Sequence, residues 1–158
     1  MYDLPQAFRD AMARVPAPVT IITASVSDVA YGTTVSAFAS LSLTPPMVFF
    51  ALDGRGRMVE RLRLTRRFGV NVLASDQAGL AERFAARTAD RFDRVAWADD
   101  SGLPKLAHTA SWLRCEVVAI EPGGDHSIVL GRVAGAENYR TDALSYHLRT
   151  FVPMGLPG

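Results

Sequence analysis

Three groups of residues in this 158-residue chain have side chains and spacings suited to chemistry. The first is Asp53-Gly54-Arg55-Gly56-Arg57, which follows the apolar run Met47 to Leu52 and leads into a helical pattern from Met58 to Arg67. Glycines let the backbone approach a ligand closely, amides at a helix start attract anions, and arginine forks match phosphate oxygens. Arg55, Arg57, Arg61, Arg63, Arg66 and Arg67 are interrupted by a single acid, Glu60. Phosphate binding is one reading. A flexible turn with a solvated helix face is the other, because a short glycine-rich turn is a weak motif.

The second group is Thr33-Thr34-Val35-Ser36-Ala37-Phe38-Ala39-Ser40-Leu41-Ser42. Hydroxyls among small residues offer donors and acceptors with little bulk, which suits a planar heterocycle. A half-exposed strand with Ser and Thr turned to water explains the same pattern. The third is His126, directly after Pro122-Gly123-Gly124-Asp125. Runs rich in β-branched residues flank that turn, so a hairpin is expected. The Gly-Gly pair would supply the positive φ angles, and His126 would stand at the mouth of a sheet. A histidine there is equally an ordinary surface residue. Asp125-His126-Ser127 is not a hydrolytic triad, because neighbours in a strand face opposite ways.

Other chemistries find little support. His108, His126 and His147 are widely spaced and Cys115 has no nearby partner, so no metal site is expected. Gly54 and Gly56 lack the third glycine of a dinucleotide fingerprint, and there is no Walker loop. Phe84, Phe92, Trp97 and Trp112 read as core. A formal net charge of +1 with 21% charged residues argues against nucleic acid and against an anionic membrane. The single cysteine excludes an intrachain disulfide and suits a reducing compartment. No apolar run approaches a membrane span, and the first residues lack the build of a secretory signal. A soluble, cytoplasmic protein is the expectation.

These groups must be positioned by a mainly β framework. Leu4, Phe8, Met12 and Val15 share one face of a helix that Pro16 and Pro18 stop. Val19 to Ser25 and Val29 to Ser36 read as strands around a Ser27-Asp28 turn, and Pro45-Pro46 bars helix before the strand Met47 to Leu52. Phe68 to Leu73 is strand-like. A helix from Gln77 to Arg87, capped by Ser75 or Asp76, turns Leu80 and Phe84 inward. Thr88 to Leu106 reads as irregular, and Leu144 to Phe151 as a short element of open type. Six to eight short strands with two or three helices imply an antiparallel β-barrel with peripheral helices. One domain is expected over residues 1–158, with its core at about 8–151 and a loose tail at 152–158.

Taken in order, these segments resemble the short-chain flavin reductases, whose fold is an FMN-binding split barrel. The likeness rests on Gly32-Thr33-Thr34, on Ser36-Ala37-Phe38-Ala39-Ser40-Leu41-Ser42 and on Pro45-Pro46. It continues through Phe68-Gly69-Val70-Asn71-Val72-Leu73, Gln77 with Phe84, and Arg91-Phe92. It ends with Gly124-Asp125-His126 and Gly131-Arg132-Val133. The resemblance implies a homodimer with flavin at or near the subunit interface. It implies NAD(P)H-dependent reduction of FMN or FAD, with reduced flavin passed to a partner monooxygenase.

By the same resemblance Thr34, Val35, Ser36 and Ser40 would line the isoalloxazine and ribityl chain. The turn bearing Asp53, Arg55, Gly56 and Arg57 would hold the phosphate. His126, as the catalytic-site residue, and Tyr146 would lie near the nicotinamide. Asn71, Phe84 and Arg91 join the cofactor-binding set through their motifs. One departure stands out: Gly56 and Met58 occupy positions where the family often has Ser and Thr, so Arg55, Arg57 and backbone amides would replace those hydroxyls, or flavin would be held weakly. The alternatives are a flavin carrier without efficient turnover, another split-barrel oxidase or deazaflavin binder, and an interaction domain with no ligand.

Overall fold

A computed structural model describes residues 1–155 of the chain. Helix α1 spans Leu4–Ala13, α2 Arg57–Thr65 and α3 Ala78–Ala85. The strands are β1 (Ala17–Pro18), β2 (Thr20–Val26), β3 (Val29–Val35), β4 (Phe38–Leu43), β5 (Pro46–Asp53) and β6 (Arg67–Val72). They continue with β7 (Trp97–Asp100), β8 (Leu103–Leu106), β9 (Ser111–Gly123), β10 (His126–Asn138), β11 (Ala143–His147) and β12 (Thr150–Met154). Seven of them form one antiparallel sheet in the order β3-β2-β6-β9-β10-β5-β4. That sheet curls around a core of Ile22, Phe50, Leu62, Phe68, Val70 and Val129, with Phe50 and Phe68 edge to face at 5.1 Å.

Alternation along β2 explains why both its faces are apolar. Ile22 and Ala24 point into the barrel, whereas Ile21 points out into a second cluster with Val19, Leu73, Phe84 and Leu144. That outer cluster is roofed by α3 and by the small sheet β1-β11-β12. The barrel class is as expected, but the strand count is higher: twelve strands occur among the described residues.

The differences have physical reasons. The stretch from Thr88 holds the hairpin β7–β8, whose turn relies on Ser101 (φ 56°) and Gly102 (φ 83°). The hairpin β9–β10 closes on Gly124-Asp125, and only Gly124 has positive φ, while Gly123 belongs to β9 opposite His126. A single positive φ at the first central residue is the II′ geometry that fits the twist of a hairpin. Neither Ser75 nor Asp76 caps α3. Gln77 does so by position without a side-chain cap, its Oε1 accepting from the Ala74 amide and its Nε2 donating to the Ala107 carbonyl. The expected loose tail is strand up to Met154 because β12 pairs with β11, and residues 156–158 lie outside the described part. Finally, α1 buries none of its residues: Leu4, Phe8 and Met12 stay exposed although they share one face.

Candidate functional site

A cavity of about 710 Å³ opens between the end of β3, the helix α3 and the β11–β12 hairpin. Thr34, Ser36, Glu82, Tyr146, Arg149 and Phe151 stand on its wall. Two of these sides are locked together. The Thr34 hydroxyl donates to the Ala81 carbonyl at 2.6 Å, tying β3 to α3. A Cβ on Gly32 would come within 2.7 Å of Phe84 Cε1, so only glycine lets α3 lie this close to the strand. The third side turns tightly at Leu148-Arg149, both at positive φ, and carries Tyr146 and Phe151 with ring centroids 5.1 Å apart.

A second assembly forms where β5 ends. Asp53 is the Cα partner of His126 across the β5–β10 ladder, and the Gly54 amide donates to the Asp125 carbonyl at 3.0 Å. Asp53 Oδ1 accepts from the Arg55 amide at 2.9 Å, an Asx turn that bends the chain into α2. The Arg55 guanidinium closes on the same carboxylate at 3.1 Å and holds the Asp53 pKa down at about 2. Arg87, just beyond α3, comes within 3.9 Å of Asp53, which places this turn beside the C-terminal end of the α3 wall. His126 Nδ1 lies 2.7 Å from Asp125 Oδ1. A carboxylate only accepts, so Nδ1 carries the proton and Nε2 is the nitrogen left for a ligand. That contact draws the Asp125 carboxyl below its ordinary range.

The fold therefore brings Thr34, Ser36 and Tyr146 into one cavity and gathers Asp53, Arg55, Gly56, Arg57 and His126 at one turn. Four of the expected contact residues do not stand on that cavity wall. Asn71 is fully buried, its amide donating to the Ile21 carbonyl and accepting from the Leu106 amide, so it braces β2 and β8. Phe84 is fully buried between Gly32 and Phe92. Val35 turns its side chain into the barrel core, and its carbonyl accepts from Thr20 Oγ1. Ser40 is exposed on the edge strand β4, where it pairs with Val48. The sequence reading missed Arg87, Glu82 and Arg149. Arg149 sits in a tight turn without glycine, which left no signal.

Some groups are left without partners, and these test whether a flavin nucleotide suits the site. Helix α2 starts on Gly56 with no side-chain cap, so its first amides remain available to an anion. Arg91 donates to the Gly32 carbonyl at 2.8 Å, yet its Nε is buried with no partner. An orphaned guanidinium nitrogen, open helix amides and a cavity with hydroxyl walls fit a flat ring that carries phosphate.

Comparison with known proteins agrees with this geometry. Residues 12–155 match the family described as "Flavin reductase like domain". The chain belongs to that family. It is 38% identical to the reductase component of 4-nitrophenol 4-monooxygenase/4-nitrocatechol 2-monooxygenase of Rhodococcus opacus, over 91% of this chain and 78% of that one. It is also 38% identical to an NADH:riboflavin 5′-phosphate oxidoreductase of Streptomyces pristinaespiralis, over 80% of this chain and 74% of that one. Among solved structures it is similar to the NADH:FAD oxidoreductase of Streptomyces globisporus in complex with NAD and FAD fragments. That match has a TM-score of 0.91 and 30% identity, covering 98% of this chain and 96% of that one.

Proposed function

We propose that this chain is an NAD(P)H:flavin oxidoreductase that reduces FMN or FAD and hands the reduced flavin to a separate monooxygenase. The observation that carries the reading is the proximity of two assemblies: a cavity walled by Thr34, Ser36 and Tyr146, and a turn bearing Asp53, Arg55 and Arg57 beside the end of α3, where Arg87 comes within 3.9 Å of Asp53. Relatives named as reductase components of monooxygenases support the partner, and relatives named for NADH support the donor.

When bound, the flavin supplies the ring that accepts hydride. The chain's share is orientation and electrostatics, because the redox chemistry lies in the two ring systems. Ser36 and the β3 backbone would hold the flat ring. The Thr34 hydroxyl already donates to Ala81, so toward a ligand its oxygen can only accept. Amides at the start of α2, with Arg57, would hold phosphate. His126 would orient the nicotinamide through Nε2, and Tyr146 would close the opposite side.

A homodimer with the site near its interface fits the apolar face of α1. Leu4, Phe8 and Met12 are exposed there. The helix is fixed beside the cavity hairpin by Leu148 N to Ala13 O at 2.7 Å and by Arg149 to Asp10 at 2.7 Å. An exposed apolar face beside a ligand cavity is the kind of surface another copy covers. A cytoplasmic setting suits Cys115, a lone buried thiol whose pKa burial pushes up to about 12. The test mixes protein and NADH with free FMN and, separately, with free FAD and follows absorbance at the nicotinamide band. A rate well above that of the mixture without protein supports the reading, and a rate no faster leaves the carrier reading in its place.

A further inference from the structure

Beside the turn just described lie two arginines that the reading above does not use as a pair. The Arg61 guanidinium sits 3.6 Å from the centroid of the Tyr31 ring. Arg91 Nη1 donates to the carbonyl of the next residue, Gly32, at 2.8 Å. Consecutive residues of β3 thus hold two guanidinium groups in one place. The stacked arginine is fixed by the ring face, and the other by a directed hydrogen bond.

Neither arginine has an acidic partner among the described residues: the ion pairs there involve Arg55, Arg87, Arg94, Arg114, Arg132 and Arg149, with Lys105 and His126. Arg91 is partly buried with its Nε unpartnered, and burial, then the charge of Arg61, lowers its pKa. Two like charges held together, one of them desolvated, disfavour the empty state and favour an anion between them. Glu60 does not neutralise Arg61, since adjacent helix positions face different ways.

Position names the anion. Arg57 and Arg61 lie one helical turn apart on the same face of α2, a rise of roughly 6 Å. A single phosphate at the start of α2 would use Arg57 and the open amides, and would leave Arg61 and Arg91 unanswered. We infer that Arg61 and Arg91 receive the diphosphate of a dinucleotide, which makes FAD rather than FMN the flavin this chain prefers. The inference rests on the flavin reading above and adds which flavin it is. The same diphosphate chemistry occurs in NADH, so the experiment separates the two sources.

Calorimetric titrations of the intact protein and of Arg61→Gln with FAD, FMN, NADH and ADP provide the test. Arg61 is the primary position because its side chain stacks on the surface of a ring, whereas Arg91→Gln risks the packing around Gly32. FAD is expected to bind at least tenfold tighter than FMN. Arg61→Gln should weaken FAD about tenfold, leave FMN within twofold, and abolish binding of ADP alone. Equal affinities for the two flavins with no ADP binding would overturn the inference. NADH weakened with FAD unchanged would overturn the assignment to FAD and give the diphosphate to the nicotinamide. If neither flavin binds, the flavin reading fails instead, and loss of ADP binding in Arg61→Gln still supports the diphosphate site.

Discussion

His126 and Asp53 face each other across the β5–β10 ladder, at the last position of one strand and the first of the other. The chain turns just after Asp53 and just before His126, and the Gly54 amide bonds the Asp125 carbonyl across the gap. Two turns distant in sequence therefore behave as one rigid corner, with a phosphate-suited helix start on one side and an imidazole on the other.

In that corner His126 has one nitrogen engaged with Asp125, and its hydrogen bond goes to that carboxylate rather than to the turn that would hold phosphate. His126→Ala is expected to raise KM for NADH severalfold or more while leaving flavin affinity within about twofold. Steady-state kinetics with NADH varied, alongside a flavin titration, measures both. Loss of flavin binding with nicotinamide affinity intact would remove His126 from the role given to it.

Asp53 gives a pH prediction with a definite sign. Its pKa falls from 3.8 to about 2, first through the side-chain hydrogen bond from Arg55, then through the Arg55 amide. A carboxyl depressed in the folded state contributes stability that is fully present above the unfolded value and is lost as pH falls through the folded one. The corner should thus loosen between pH 3.8 and about 2, and high salt should weaken the contribution because the pair is solvent-exposed. Carboxyl-carbon NMR titration should find Asp53 near 2 and, in Arg55→Ala, back toward 3.8. An unshifted Asp53 in the intact protein would refute the account.

The framework was readable where local chemistry alone decides it. The turn at Ser27-Asp28 was visible as a polar pair between β-rich runs, and both residues do adopt positive φ. The strands Met47 to Leu52 and Phe68 to Leu73 announced themselves as apolar runs of strand length. What stayed hidden depends on partners far away in the chain. The β7–β8 hairpin looks irregular because Trp97 to Asp100 alternates poorly, and its anchor is Trp112 Nε1 donating to Asp100 at 2.8 Å. Motif position also could not separate Ser36, which reaches the cavity, from Asn71, whose amide is used inside the core.

That reassignment of Asn71 has a measurable consequence. Its amide is wholly buried and bonds the Ile21 carbonyl at 3.2 Å and the Leu106 amide at 2.8 Å. Asn71→Ala leaves the Leu106 amide without its partner in a site closed to water, and removes an extra donor from the ladder-paired Ile21 carbonyl, at a cost of roughly 1–3 kcal/mol for the unsatisfied amide. A fall in Tm of several degrees or more by calorimetry is expected. An unchanged Tm would show that the amide braces nothing.

The cavity wall rests on how closely α3 approaches β3, and two substitutions at neighbouring positions separate the causes. Thr34→Val removes the 2.6 Å bond to Ala81 but keeps the shape, so it should cost about 1 kcal/mol and leave the cavity nearly its size. Gly32→Ala places a methyl 2.7 Å from Phe84, a rigid ring backed by Phe92 at 4.9 Å and unable to retreat. The helix must then move outward, at roughly 1–3 kcal/mol for the overpacking. Because α3 also carries Glu82 and Ala85 on the cavity wall, Gly32→Ala should weaken flavin binding about tenfold, well beyond the effect of Thr34→Val. Chemical denaturation gives the stabilities and flavin titration the affinities. If Gly32→Ala destabilises the fold yet binds flavin as the parent does, the α3 wall is not part of the flavin site.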